Sequence, residues 1–219
     1  MTKLSKENIN YKTIPILPVS ELMILPGMIV PITLKSLRDK ELIERAFFHG
    51  RIFGIVQPRY ESKTLIEKIG VIVKIISFEE AKKDNKDVFI IKIKGLSRFE
   101  VMDVNISDDL FLMADIRSDK YQNDITPPPL PKFDRTLFIK QIVNFFESIN
   151  INIDIASIHK MNDYKLVDTF AMSCPFTPNQ RQRLLEAVDI NDRAFIMMEF
   201  FEMDFPNSSI SKDDFNIIP

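Results

Sequence analysis

An apolar stretch near the start of the chain, residues 14–34, is interrupted by four prolines and one glycine. Proline inside a helix removes a hydrogen-bond donor and clashes with the preceding turn, and in a central strand it breaks the ladder. The stretch therefore predicts short extended segments joined by sharp corners. Pro26 followed by Gly27 is the pattern of a type II turn, because glycine readily adopts the positive φ that the third turn position requires.

The pattern as far as residue 121 predicts one helix and several strands. Residues 37–49 carry apolar side chains at helical spacing, and Gly50 follows where a left-handed cap suits glycine. Apolar runs and alternation predict strands over residues 51–56, 69–78, 88–94, 98–105 and 110–116. A polar turn is predicted at residues 79–87, between the second and the third of these strands. About six strands at short spacing favour a closed or nearly closed β-barrel over residues 13–121.

The second half of the chain predicts helices. A proline-rich connector, residues 122–133, precedes helical patterns over residues 134–205, and a flexible tail is expected at residues 206–219. Thr177 to Gln180 has the pattern of a capping box with proline at the first helical position. The predicted fold class is therefore α+β, a barrel followed by a small helical bundle.

Composition and charge narrow the function classes. The chain has 219 residues, of which 45% are hydrophobic, and a formal net charge of −2. That balance gives no general attraction to nucleic acid or to anionic membranes. One cysteine, Cys174, excludes an internal disulfide and fits a reducing compartment. Because no apolar run is long enough to span a membrane and the polar start lacks a signal-peptide core, we expect a cytoplasmic protein.

Residues with catalytic or metal-binding chemistry are few and scattered. His49 and His159 lie far apart in the sequence, and Cys174 falls on an apolar helical stripe before a proline. Asp163 and Asp168 are off the spacing that would stack them on one helical face, and are interpreted as an N-cap and a solvated charge. We therefore predict no catalytic residue, no metal site and no cofactor. A small hydrolase with scattered catalytic residues is the least favoured function.

The ordered set of motifs along the chain resembles the amino-terminal, substrate-binding domain of Lon proteases. The opening matches that family at Leu17, Pro18, Val19, Ile24, Leu25, Pro26, Gly27, Met28, Val30 and Pro31. GLSRF at residues 95–99 is similar to the family's G-x-x-R-F turn, and residues 166–193 resemble its LVD, LLE and D-x-x-x-R segments. The resemblance covers roughly residues 13–205. It implies a PUA-like barrel, a helical bundle and a role in holding protein substrates or partners.

The resemblance also sets an expectation about what the chain lacks. The chain has five glycines, and no two of them have the spacing of the phosphate-binding motif G-x-x-x-x-G-K-[ST]. We therefore expect a domain that is not an enzyme, in stand-alone form or derived from a protease, and that binds polypeptide as an accessory to ATP-dependent proteolysis. Expected partners are unfolded or extended polypeptide and an ATP-dependent protease, and neither nucleic acid nor a membrane is expected. The protein itself is expected to be a monomer or a weak homodimer.

A hypothesis for the polypeptide-binding surface places it at the apolar corner near the first helix. Its residues are Met23, Met28, Phe47 and Phe48, with a charged rim of Lys35, Arg38 and Glu41. Methionine and phenylalanine give a soft, adaptable apolar surface. The alternative interpretation is that Met23, Ile24 and Leu25 form a buried strand.

RNA binding is the alternative function, because PUA-like barrels include RNA binders. Lys74, Lys92, Lys94 and Arg98 fall on strands that are predicted to be neighbours and would form a basic strip. The other interpretation is the solvated outer face of alternating strands. Phe89 and Phe99 alternate toward the presumed core, which leaves the lysines without stacking platforms.

Overall fold

The computed structural model describes residues 13–20, 22–34, 37–48, 50–59, 66–83, 86–106, 111–124 and 131–203. The chain divides into two compact units. The first, the barrel unit, comprises Met1–Val19 and Pro26–Ile125, and the second, the helical unit, comprises Ser20–Leu25 and Thr126–Pro219. His49, Lys35 and the predicted tail at residues 206–219 lie outside the described residues, as do residues 125–130 of the predicted connector.

The described residues of the barrel unit form six strands and one α-helix. In chain order these are β1 (Thr13–Pro18), β2 (Ile29–Leu34), α1 (Leu37–Phe48), β3 (Ile52–Val56), β4 (Ile69–Lys83), β5 (Lys86–Ile106) and β6 (Leu112–Arg117). The short 3-10 segment Asp119–Asp124 follows. β5 joins two strands that were predicted to be separate, and most of the predicted turn at residues 79–87 is strand. β-bulges in these long strands explain the difference, because a bulged strand can bend without ending.

The strand pairings close the sheet on itself. β1 pairs in parallel with β3 and antiparallel with β6, while β3–β4, β4–β5 and β5–β6 are antiparallel. β5 is long enough to pair with β2 over Phe89–Lys94 and with β6 over Glu100–Ile106. The predicted α+β class is confirmed, and the closed pairing is the one expected of a barrel. The finer PUA-like description stays a prediction.

Phe99 fills the interior of this ring. Its side chain is fully buried among residues from β1, β3, β4 and β6, which include Ile14, Ile16, Ile52, Ile72 and Ala114. Gly54 and Gly70 make the space for the ring. A Cβ atom on Gly54 would lie 2.9 Å from Phe99 Cζ, and one on Gly70 would lie 2.7 Å from it and 2.5 Å from the carbonyl oxygen of Ile55.

We expect Gly70→Ala to lower the free energy of unfolding by about 2–3 kcal/mol, because overpacking forces side chains and backbone to shift. Gly54→Ala serves as a comparison with a smaller expected loss of stability. Its nearest contacts are ends of side chains rather than backbone, so a loss of about 1 kcal/mol is expected. Urea unfolding followed by circular dichroism measures both. Equal stability of Gly70→Ala and the parent chain would contradict this account of the barrel interior.

The Pro26–Gly27 corner is a turn, as predicted. Gly27 has φ +85°, the conformation that a type II turn requires at this position. The turn is tied to β5, since Gly27 N donates to Gly95 O at 2.9 Å and Gly95 N donates to Met28 O at 2.9 Å. Gly95, which lies between the predicted strands at residues 88–94 and 98–105, therefore forms two backbone hydrogen bonds with this corner.

Residues 22–25 differ from both predictions made for them. Leu22, Met23, Ile24 and Leu25 are all buried, but they form no strand. They belong to the helical unit, although the predicted barrel range 13–121 included them. Burial of these side chains was part of the second interpretation, and what the described residues lack is a strand that pairs with this segment.

Within residues 131–203, the described part of the helical unit after the connector, there are five helices. They are α2 (Arg135–Ser148), α3 (Ile155–Lys160), α4 (Asp163–Ser173), α5 (Pro178–Glu186) and α6 (Ile190–Met203). The capping box at Thr177 and Gln180 is confirmed, and Asp189 caps α6 by accepting from the backbone of Asn191 and Asp192. The helix missed was α3, a six-residue helix that Asp154 caps.

Phenylalanine rings form much of the core of the helical unit. Phe146 meets Phe170 edge-on at 5.7 Å, and Phe145 stacks on Phe201 at 5.3 Å. α2 buries Phe138, Ile142 and Phe145, and α4 buries Leu166, Val167 and Phe170. On α6 the buried face includes Arg193, Met197 and Phe200. No helix in the described ranges combines the length and hydropathy needed to cross a membrane.

Candidate polypeptide-binding surface

Helix α1 ends with two phenylalanines in different surroundings. Leu42, Ile43 and Ala46 are buried on its inner face, Phe47 is half-buried, and the side chain of Phe48 is 88% exposed. Gly50, at φ +76°, ends the helix, and the backbone N–H of the next residue donates to Ala46 O at 2.7 Å. The left-handed glycine predicted at this cap is confirmed.

Three aromatic rings meet beside the end of α1. Phe47 approaches Phe78 of β4 edge-on, with ring centroids 6.0 Å apart. Phe78 stacks on Phe89 of β5 at 5.6 Å. Phe78 and Phe89 are diagonal neighbours on the β4–β5 pair, a separation that aromatic side chains can bridge. We call Phe47, Phe48, Phe78 and Phe89 the phenylalanine patch.

Two cations border this patch. Lys40 Nζ lies 4.5 Å from the centroid of Phe89, and the guanidinium of Arg51 lies 5.3 Å from the centroid of Phe47. Such cation–π contacts are worth about 0.5–1 kcal/mol at exposed sites, so they help to fix the rings in place. Lys40 also lies 3.7 Å from a carboxylate oxygen of Glu44 on the same helix. The patch is therefore apolar at its centre and bordered by charged groups, among them Lys40 with its partner Glu44 and Arg51.

The seven predicted binding residues fall in different places. Met23 is only 5% exposed and has almost no surface to offer a ligand, whereas Met28 is partly exposed beside Gly95. Glu41 is exposed on α1. Lys35 and the side chain of Arg38 lie outside the described part of the chain. Of the seven, Phe47 contacts the aromatic rings of the strands, and Phe48 follows it in the chain and is exposed.

Sequence reasoning missed Phe78 and Phe89. Alternation placed Phe89 in the core together with Ile91 and Ile93, and those two residues are indeed buried. Phe89 is half-buried because this part of β5 lies on the arm that pairs with β2 and with the far end of β4. The signal that was available is the position of the two phenylalanines on either side of the polar segment 79–87, as expected for the two arms of a hairpin.

Arg98 does not lie on the exposed basic strip that was predicted for it. Arg98 is 1% exposed, and its Nε and Nη2 atoms donate to the carboxylate of Asp124 at 3.0 and 2.8 Å. Asp124 also accepts from the backbone N–H of Arg98 at 2.8 Å, and the guanidinium lies 4.3 Å from the centroid of Tyr121. Arg98 therefore connects β5 to the 3-10 segment. It was predicted to be exposed because alternation alone treats a charge as outward-facing.

The two aspartates of the helical unit are also paired. Asp168 accepts from Nη1 of Arg193 at 2.8 Å, so it is not the solvated charge predicted. Asp163 accepts from Arg135, and Asn162 is the N-cap of α4 in its place. Because Arg193 Nε also donates to Leu184 O at 3.2 Å, this arginine joins α6 to α4 and α5.

Among the described residues, no cluster of three or more histidine, cysteine or acidic side chains could hold a metal ion. Burial raises the pKa of the Cys174 thiol far above its ordinary value, which keeps the sulfur protonated and unreactive. His159 is exposed near the end of α3.

Comparison with known proteins identifies the family. The model of the ATP-dependent protease La (LON) substrate-binding domain matches residues 13–201. The chain belongs to this family.

Relatives and solved structures agree with the family match. The chain is 24% identical over 217 residues to the Lon protease of Solibacter usitatus, which covers 95% of the chain and 26% of that protease. The Lon protease of Flavobacterium johnsoniae is 30% identical over 110 residues, 48% of the chain and 13% of that protein. The chain thus spans about a quarter or less of the length of these relatives.

Two solved structures share the fold. The N-terminal domain of Mycobacterium avium complex Lon protease aligns with a TM-score of 0.64 at 20% identity, over 88% of this chain and all of that one. A Lon N-terminal domain protein from Xanthomonas campestris aligns with a TM-score of 0.61 at 16% identity, over 87% of this chain and 99% of that one.

The LON-domain motifs that first indicated the family have structural roles in this chain. In the GLSRF segment, Gly95 bonds to the Pro26–Gly27 corner, Arg98 pairs with Asp124, and Phe99 fills the ring. In the D-x-x-x-R segment, Asp189 caps α6 and Arg193 pairs with Asp168. These motif residues therefore hold the fold together.

Proposed function

We propose that this LON-domain protein binds extended or unfolded polypeptide, without catalysis, through the phenylalanine patch. The observation that carries the proposal is Phe48, which is 88% exposed and directly follows Phe47, one of three clustered phenylalanines. Aromatic side chains are the residues that most often dominate binding energy at protein interfaces. The family's description as a substrate-binding domain supports a polypeptide ligand.

The charges around the patch support a preference among polypeptides. Lys40 and Arg51 border the rings, so a segment that carries apolar side chains with acidic neighbours fits better than a basic one. We further propose that binding serves ATP-dependent proteolysis in the cytoplasm, because the relatives are named as Lon proteases.

The test is the affinity of Phe48→Asp for a fluorescent, permanently unfolded model protein, measured by fluorescence anisotropy. We expect the dissociation constant to rise at least about tenfold, as for loss of an aromatic anchor. Phe195→Asp is the matched control, because Phe195 is a 52% exposed phenylalanine on α6, outside the patch. Circular dichroism verifies that both variants fold. Equal affinities of Phe48→Asp and the parent chain, or equal losses in both variants, would disprove the placement.

RNA binding is the alternative function, and one observation favours it. Lys74 and Lys94 are directly opposite each other on β4 and β5, and Lys92 is exposed on the same strand. Lys92 lies 3.9 Å from Glu79, however, and Arg98 is buried with Asp124. Titration of labelled single-stranded RNA at low and high salt distinguishes the two functions, because binding through lysines weakens steeply with salt.

A further inference from the structure

The helical unit has a groove of about 290 Å³ between α2 and α6. This volume lies just below the range of about 300–1,000 Å³ that is usual for small-molecule pockets, so it suits a side chain better than a whole cofactor. The residues that line the groove all lie on these two helices. They are Gln141, Asn144, Phe145, Ser148, Phe201 and Glu202.

Two stacked phenylalanine rings form the apolar part of the groove. The ring centroids of Phe145 and Phe201 are 5.3 Å apart, and the ring planes are inclined by 27°. Phe145 is buried, whereas Phe201 is half-buried and keeps part of its surface open to solvent. The face of an aromatic ring attracts cations, and a flat guanidinium can also stack on it. An aromatic pair that lines a groove therefore favours a flat, positively charged guest.

The polar part of the groove offers hydrogen-bond acceptors. Nε2 of Gln141 donates to Oε1 of Glu202 at 2.9 Å, which fixes the orientation of the amide. Oε1 of the same amide is buried and receives no hydrogen bond within the described residues. A buried acceptor without a donor is unfavourable, and water or a ligand usually supplies the missing bond. The groove therefore has a place for a donor beside a carboxylate.

The charge of the groove is negative. Of the six residues that line it, Glu202 alone is charged. Glu199, one turn earlier on α6, is paired with Arg183 at 2.7 Å, whereas Glu202 has no ion-pair partner in the described part of the chain. Arginine complements such a groove better than lysine does. Its planar fork of donors can meet the carboxylate and the amide oxygen together, while lysine acts as a point charge.

We propose that this groove binds an arginine side chain of an extended polypeptide. The guanidinium donates to the carboxylate of Glu202 and to Oε1 of Gln141, and its plane packs against the pair of phenylalanine rings. The proposal rests on the proposed binding of polypeptide, but it uses a surface other than the phenylalanine patch. It adds a basic residue, at a separate position of the ligand, to the apolar and acidic residues that the patch favours.

The probe is the peptide acetyl-Gly-Gly-Arg-Gly-Gly-amide, which has no apolar side chain for the patch. Amide chemical shifts of the isotopically labelled chain report its binding. We expect a dissociation constant on the order of 1 mM, because one side chain makes few contacts, with shifts concentrated at the residues of the groove. The same peptide with citrulline, a neutral isostere of arginine, should bind at least about tenfold more weakly. No saturable shift, shifts confined to other residues, or equal binding of the two peptides would overturn the proposal.

Glu202→Gln and the matched control Glu199→Gln each remove one negative charge from α6. The first should raise the dissociation constant of the arginine peptide at least about fivefold, and the second should change it less than about twofold. In Glu202→Gln the arginine and citrulline peptides should bind almost equally, because the charge pair that distinguishes them is gone. A loss of structure would weaken both peptides alike. Equal effects of the two variants on the arginine peptide contradict the proposed pair.

Two further variants test which residues compete for the groove. Residues 204–219, which follow α6, contain one basic residue, Lys212. Lys212→Gln should leave the affinity for the arginine peptide unchanged, and tighter binding would mean that the chain fills its own groove, against the proposal. Phe48→Asp should also leave it unchanged, because Phe48 does not line the groove. A loss there would place the arginine peptide at the phenylalanine patch, whereas failure of the patch alone would leave binding in the groove intact.

Discussion

Replacing Arg98 with methionine is expected to lower the free energy of unfolding of the barrel unit by about 3–5 kcal/mol. Arg98 and Asp124 are both buried, with side-chain exposures of 1% and 7%, and hydrogen bonds from Nε and Nη2 join the guanidinium to the carboxylate. Methionine has a similar volume but no charge. The variant therefore keeps the packing of the aliphatic part of the side chain, but the buried carboxylate of Asp124 loses its charged partner.

The size of this effect follows from desolvation rather than from attraction alone. An ion pair in a protein interior gains little over a well-packed apolar pair, but one charge left without its partner is strongly unfavourable. Domains of this size are stable by only about 5–15 kcal/mol, so the variant would be near the limit of folding. The double variant Arg98→Met, Asp124→Leu removes both charges and should recover a large part of the loss.

Arg117→Met is the matched control for Arg98. Arg117 on β6 forms an ion pair with Glu100 on β5 at the same distance of 2.8 Å, but its side chain is 53% exposed. Exposed pairs contribute little, so we expect the urea midpoint of this variant to remain close to that of the parent chain. Equal effects of Arg98→Met and Arg117→Met would show that burial does not govern the Arg98 pair.

Local chemistry made much of the fold predictable from sequence. The Pro26–Gly27 turn, the glycine cap after α1 and the capping box at Thr177 each depend on residues next to one another, and each is confirmed. The extent of the strands was less predictable, because bulges that let β4 and β5 continue have no clear local signal. The short helix α3 was missed because six residues contain too few turns for a periodic pattern.

Burial of charge is where sequence reasoning failed. Arg98 is 26 residues from Asp124, and Arg193 is 25 residues from Asp168, so neither pair could be seen in a local pattern. The candidate site likewise combines residues that are distant in the sequence. Phe47 and Phe48 were identified from their place on α1, whereas Phe78 and Phe89 join them only because the β4–β5 arm reaches that helix.

Replacing Arg193 with methionine is expected to destabilise the helical unit by about 3 kcal/mol. The side chain is 7% exposed and donates both to Asp168 on α4 and to the Leu184 carbonyl on α5. Loss of the guanidinium removes both the charged partner of Asp168 and the hydrogen bond to the Leu184 carbonyl. Arg193→Lys keeps the charge but cannot reach two acceptors with the planar geometry of a guanidinium, so an intermediate loss is expected.

Amide hydrogen exchange locates the effect of Arg193→Met, and urea unfolding measures its size. Protection should fall in α4, α5 and α6, the helices that the guanidinium joins, because local opening no longer has to break these bonds. Arg183→Met is the control, since Arg183 pairs with Glu199 at 2.7 Å with both side chains at least half-exposed. That variant should keep the midpoint and the protection of the parent chain. If Arg193→Met also keeps them, the arginine of the D-x-x-x-R motif does not stabilise the bundle, and its role must be sought in binding.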